Sequence, residues 1–271
     1  MDYRDRHVVV TGGTGALGTA MVGALIEAGG VCHVPYIDRA EADRFAFRNH
    51  AKVKLIGDIE LTQEAAVAKL YGSVPKLWAS IHIAGGFAMT PVAETAKSDL
   101  MKQIDMNFVT AFLCCRAAVN AMTPTGAGGR IVNVATRPAL EWRSGAGMVA
   151  YTASKAAVAA LTVALAEEVV KAGILVNAIA PSTMDTPANA ASRRHPGEGS
   201  SMKADDPLLE AKRKELFDRI QRMDELLITI VKNHIGLEQF MSEFLVASGK
   251  DPEDLTFYNR HTLALRPLTN C

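Results

Sequence analysis

The chain has 271 residues, 49% of them apolar and 21% charged, with 29 Lys+Arg against 29 Asp+Glu. The balanced charge excludes a chain-wide positive field that would draw it onto nucleic acid or an anionic membrane, and the apolar content excludes a disordered or collagen-like chain. Four cysteines (Cys32, Cys114, Cys115 and Cys271) are too few for a disulfide scaffold, and two are adjacent in apolar surroundings, so buried reduced thiols are expected. The charged start, Met1 to Arg6, has no apolar signal core, and nowhere do 18 uncharged apolar residues run together. The expectation is therefore a soluble cytoplasmic protein with no nucleic-acid and no membrane partner.

In chain order, His7-Val8-Val9-Val10 predicts a first strand closed by a glycine turn, and a helix follows over 15–28, ending at Gly29-Gly30. Five more strands are predicted at 31–36, 51–56, 77–84, 130–135 and 174–180, with helices at 41–49, 62–70, 98–122 and 151–172. Strands that are continuously apolar rather than alternating are buried on both faces, as in a parallel sheet covered by helices. Right-handed crossovers then predict a doubly wound α/β sheet of six strands, with no seventh in view. Beyond a polar loop at 192–201, the stripe Leu209, Leu216, Ile220, Met223, Leu227 and Ile230 predicts a long amphipathic helix, and a second follows up to Gly249. The expected division is an α/β domain over 1–190 and a helical segment over 191–271 that packs on it or mediates association.

The turn Thr11-Gly12-Gly13-Thr14-Gly15-Ala16-Leu17-Gly18 lies between the first strand and the first helix, the context a dinucleotide site requires. Glycines let the backbone approach a pyrophosphate, and the helix start offers unpaired N–H donors. Asp38, 20 residues beyond Gly18, is a candidate for the adenosine ribose or else a surface loop acid, and Arg39 beside it would favour a 2′-phosphate. The choice between NAD and NADP stays open.

Tyr151 and Lys155 stand four apart at a helix start and share its face. A phenol with a free pKa of ~10 is a poor acid–base at neutral pH. A lysine one turn away, together with an oxidised nicotinamide ring, favours the phenolate.

The glycine turn, Ala84-Gly85-Gly86, Asn107, Tyr151-x-x-x-Lys155 and Pro181-Ser182 resemble the short-chain dehydrogenase/reductase family in order and spacing, over residues 1 to about 190. The resemblance implies a Rossmann-type domain that binds NAD or NADP and transfers hydride to or from a small-molecule carbonyl/alcohol substrate. It implies that Gly12, Thr14, Gly15, Leu17 and Gly18 cradle the pyrophosphate, Asp58 faces the adenine, and Ala84 and Gly85 line the adenine ribose. Pro181, Thr183 and Thr186 would close on the nicotinamide. Tyr151 would be the general acid/base, Lys155 would hold the nicotinamide ribose and favour the Tyr151 phenolate, and Asn107 would hold a water in the proton relay. No metal is implied, and pairing through the helices 98–122 and 151–172 would make a homodimer.

Four departures stand out: Ala16 replaces the middle glycine, His82 replaces the usual Asn, Thr136 falls where a catalytic serine is usual, and the last strand is missing. A histidine ending a buried strand is expected to be structural. Thr136, leaving the fifth strand at its C-terminal end, is favoured for the serine's role over Ser144. Phe87, Met89, Leu140, Trp142 and Met148 suggest a hydrophobic substrate, in a pocket capped by residues near 185–215. The alternative reading is a nucleotide-binding scaffold without redox turnover, its C-terminal helices serving association.

Overall fold

A computed structural model describes residues 2–184 and 186. The expectations for 187–271 (loop, amphipathic helices and pocket cap) lie outside the described residues. Six strands, β1 (His7–Thr11), β2 (Val31–Pro35), β3 (Val53–Ile56), β4 (Leu77–His82), β5 (Gly129–Val134) and β6 (Ile174–Ile179), form one parallel sheet in the order β3-β2-β1-β4-β5-β6. The chain winds outward from β1 to β3, then returns to lay β4 on the other side of β1. Thr11 at the end of β1 pairs with His82 at the end of β4, so the crevice where the winding reverses opens above these two residues.

Helices cover both faces. Val8 and Val10 point toward α1 (Ala16–Glu27), packing with Met21, Val22 and Leu25, while Val9 points the other way. On that second face, Val67 and Leu70 of α3 (Glu64–Gly72) join Leu113 and Ala118 of a later helix and Ile131 and Val176 of the sheet. Each such fully buried aliphatic side chain stabilises by roughly 1.5–3 kcal/mol, which is why the strands are apolar on both sides. Cys32, Cys114 and Cys115 are buried free thiols, with burial pushing each up to about 12.

Two predicted helices differ in the structure. The one expected over 41–49 is α2 (Arg39–Arg44), which is capped by Asp38 and stops because Phe45 turns to an extended backbone and drops into the core, with Phe47 packed beside it. The one expected over 98–122 is α4 (Lys97–Ile104), a π turn at Asp105–Val109, and α5 (Thr110–Met122). A π turn is a frequent mark of a functional position in a helix. After α6 (Arg137–Leu140), the long helix α7 (Val149–Val169) packs against β5 and β6. With its terminal turn (Val149–Ala172) it is long and apolar enough to cross a bilayer by length and composition alone, but here it covers the sheet and buries Lys155.

Candidate active site

The glycine turn sits in the crevice. Gly12 has φ +66°, and a Cβ there would stand 2.7 Å from the Ala84 nitrogen; a Cβ on Gly18 would collide with the Gly12 carbonyl and lie 2.5 Å from Gly13 Cα. These two positions let the start of α1 press against β1 and the chain leaving β4. At Gly15, the N-cap of α1, no side chain caps the helix and no acidic residue lies in the first turn. The open amides and the dipole at this end suit an anion such as a pyrophosphate. Ala16 is exposed in the first turn and needs no glycine there. Thr14 and Leu17 are half-buried, and the Thr14 carbonyl accepts the Thr19 hydroxyl at 3.3 Å.

Around this turn, β2 ends at Pro35, and Asp38 is exposed and caps α2 by accepting the Ala40 N–H at 2.8 Å. Arg39 pairs with Asp43 at 3.4 Å. Asp58 is exposed with φ +58°. Beyond β6, Pro181 is half-buried, Thr183 exposed and Thr186 half-buried. The Pro181 carbonyl accepts the Arg137 N–H at 2.9 Å.

The second half of the site gathers where β4, β5 and α7 meet. The side chain of Asn107, buried in the π turn, donates from Nδ2 to the Gly86 carbonyl at 3.0 Å and accepts the Gly86 N–H at 3.0 Å. The same Nδ2 lies 3.2 Å from Gln103 Oε1 and 3.2 Å from Ser154 Oγ. This side chain clamps the loop after β4 to α4 and α7. A Cβ on Gly85 would stand 2.5 Å from Asn107 Oδ1 and 3.3 Å from Lys155 Nζ, so the three converge. Lys155 is 6% exposed, and burial lowers its pKa to about 8. Its ammonium donates to the Val134 carbonyl at 2.8 Å. Tyr151, half-buried one turn earlier, meets the edge of Phe87 with ring centroids 5.0 Å apart.

Thr136 and Ser144 differ in freedom. Thr136 is buried, and its hydroxyl has only a 3.5 Å approach to the Pro181 carbonyl, too long to hold it firmly. Ser144 is exposed and donates to the Glu141 carbonyl at 2.7 Å. His82 is structural, as expected. Nδ1 faces Asn133 Oδ1 at 2.8 Å, and Nε2 faces the Ser80 hydroxyl at 2.8 Å and the Tyr71 hydroxyl at 3.2 Å. Asn133 in turn donates to the Thr162 hydroxyl at 2.9 Å, tying β4 and β5 to α7 beneath the site. Gln103 and Ser154 went unnoticed in the sequence. Their spacing, four before Asn107 and one before Lys155, was the available signal.

A doubly wound parallel sheet with a glycine turn at its switch point and a Tyr–Lys helix beside it is the arrangement of an α/β oxidoreductase. The family model for short chain dehydrogenases matches residues 6–197, and the chain belongs to this family. It is 30% identical over 193 residues to (2S)-[(R)-hydroxy(phenyl)methyl]succinyl-CoA dehydrogenase subunit BbsD of Thauera aromatica, covering 69% of this chain and 76% of that one. It is 32% identical over 192 residues to 2-dehydro-3-deoxy-L-rhamnonate dehydrogenase (NAD(+)) of Sphingomonas sp. (strain SKA58), covering 68% and 74%. The crystal structure of gox2181 superposes with a TM-score of 0.67 at 25% identity, covering 71% of this chain and 77% of that one. The chain is an oxidoreductase of dehydrogenase/reductase type, in a family whose members generally use nicotinamide cofactors.

Proposed function

We propose that the protein moves hydride between a nicotinamide dinucleotide, NAD or NADP, and a carbonyl/alcohol carbon, with Tyr151 as the general acid/base. The observation that carries this reading is the convergence of Gly85, Asn107 and Lys155 one helical turn from Tyr151, beside the glycine cradle. The dinucleotide supplies the hydride acceptor or donor when bound. Gly12, Thr14, Gly15, Leu17 and Gly18 hold its pyrophosphate on the open start of α1, which the missing Cβ atoms of Gly12 and Gly18 let pack closely against Ala84 and Gly13. Asp38, Asp58, Ala84 and Gly85 line the adenosine side, and Pro181, Thr183 and Thr186 line the nicotinamide side.

Tyr151 gives its proton to, or takes it from, the substrate oxygen. Lys155 keeps positive charge next to the phenol and reaches toward the nicotinamide ribose. Thr136 donates its loosely held hydroxyl to the same substrate oxygen and polarises it. Asn107 fixes the loop carrying Gly85 and Gly86 and holds a water in the proton relay. Both relatives named above are dehydrogenases, of an aryl-bearing thioester and of a sugar acid, which supports the reaction type and leaves the substrate open.

The testing experiment measures nicotinamide absorbance change for a panel of ketones, aldehydes and alcohols with each dinucleotide, for the native chain and Tyr151→Phe. We further propose a homodimer through the outer faces of α5 and α7, where Phe112 and Val163 are 42% and 40% exposed.

A further inference from the structure

We infer that the site takes a bulky, apolar, ring-bearing alcohol or ketone, seated between Phe87 and Met89 on one side and Leu140 and Trp142 on the other; this assignment rests on the oxidoreductase reading above. These four side chains are 61%, 66%, 49% and 76% exposed. They come from the two segments that border the candidate site, the loop after β4 and the turn between β5 and α7. Phe87 lies edge-on against the ring of Tyr151, which makes the apolar surface continuous with the phenol. The Met89 methyl lies 3.6 Å from where a Cβ on Gly147 would stand, so the two segments approach each other there.

The presentation is fixed rather than incidental. The Trp142 indole N–H donates to the Ala139 carbonyl at 2.9 Å, which fixes the ring while most of its surface stays exposed. On the same turn, Arg137 is paired with Glu141 at 2.7 Å, and the Ser144 hydroxyl is spent on the Glu141 carbonyl. Arg143 stays exposed at the rim. A polyol needs a partner for each hydroxyl it desolvates, and the Ser144 hydroxyl and Glu141 carboxylate of this lip are already engaged within the turn. Two flat rings and two flexible aliphatic chains instead match a substrate that buries apolar area.

The test uses the full chain with its dinucleotide and compares α-tetralol and α-tetralone with xylitol as substrates. The expected kcat/KM is about 100-fold or more in favour of the bicyclic compounds. Trp142→Ala should raise KM for α-tetralone about 10-fold while kcat changes by less than about twofold. Leu140→Ala, a smaller change on the same turn, should move KM in the same direction if the tryptophan variant fails to fold. Xylitol turned over in preference to tetralol, or an unchanged KM in both variants, would overturn the assignment and leave the oxidoreductase reading standing. No turnover of any panel compound by a chain that binds dinucleotide would overturn both.

Discussion

Lys155 donates its ammonium to the carbonyl of Val134 at 2.8 Å, joining the helix that carries Tyr151 to the end of β5, two residues short of Thr136. Among the described residues this buried ammonium has no carboxylate partner, and burial lowers its pKa to about 8. Between about 8 and its unfolded value of 10.5 the unfolded chain binds a proton that the folded chain does not, so stability rises with pH across that window. Lys155→Met should therefore raise the melting temperature at pH 7, at about 2–4 °C per kcal/mol gained, while kcat/KM falls about 100-fold or more. Calorimetry and steady-state kinetics on one preparation check both halves.

Tyr151→Phe keeps the ring that meets Phe87 and removes only the oxygen. Carbonyl reduction should fall about 100-fold or more with dinucleotide affinity within about twofold, measured by kinetics and by nucleotide fluorescence titration.

Thr136→Ala should lower turnover about 10–100-fold, since one oriented hydroxyl is lost from the substrate oxygen. Ser144→Ala should leave turnover near its native value, because that hydroxyl is exposed and spent on the Glu141 carbonyl. A reversal of the two effects in parallel kinetics would exchange their roles.

Acid should unfold the protein through its buried histidines. His33, 2.9 Å from a ring nitrogen of His7, is held at about 4 by burial, with the charges of His7 and Lys54 adding to it; burial also holds His82 at about 4. Both values lie below the unfolded 6.5, so their stability is fully present above that pH and is lost as pH falls toward about 4. Between pH 7 and pH 5 each should withdraw about 2 kcal/mol from the unfolding free energy, read by urea titration. His82→Asn should remove its own share of that slope.

Much of this was legible in the sequence. Val8, Val9 and Val10 predict a two-faced buried strand, and the structure divides them between the two core clusters. The Tyr151–Lys155 spacing likewise predicts one helix face. The π turn at Asp105–Val109 was not legible, because its apolar residues continue the helical period on both sides. It is required by a tertiary contact, the Asn107 clamp on Gly86, which lies 21 residues away in the chain. The early end of α2 has a similar cause: burial of Phe45 outweighs local helix propensity. The network of His82, Asn133, Ser80 and Tyr71 was hidden because its members are dispersed over three elements.

The most direct measurement is a crystal structure of the full chain with bound dinucleotide. The account predicts pyrophosphate over Gly12–Gly18, the nicotinamide ribose within hydrogen-bond reach of Lys155, and the Tyr151 oxygen beside the nicotinamide ring. A dinucleotide bound elsewhere, or a Tyr151 oxygen turned away from that ring, would contradict it.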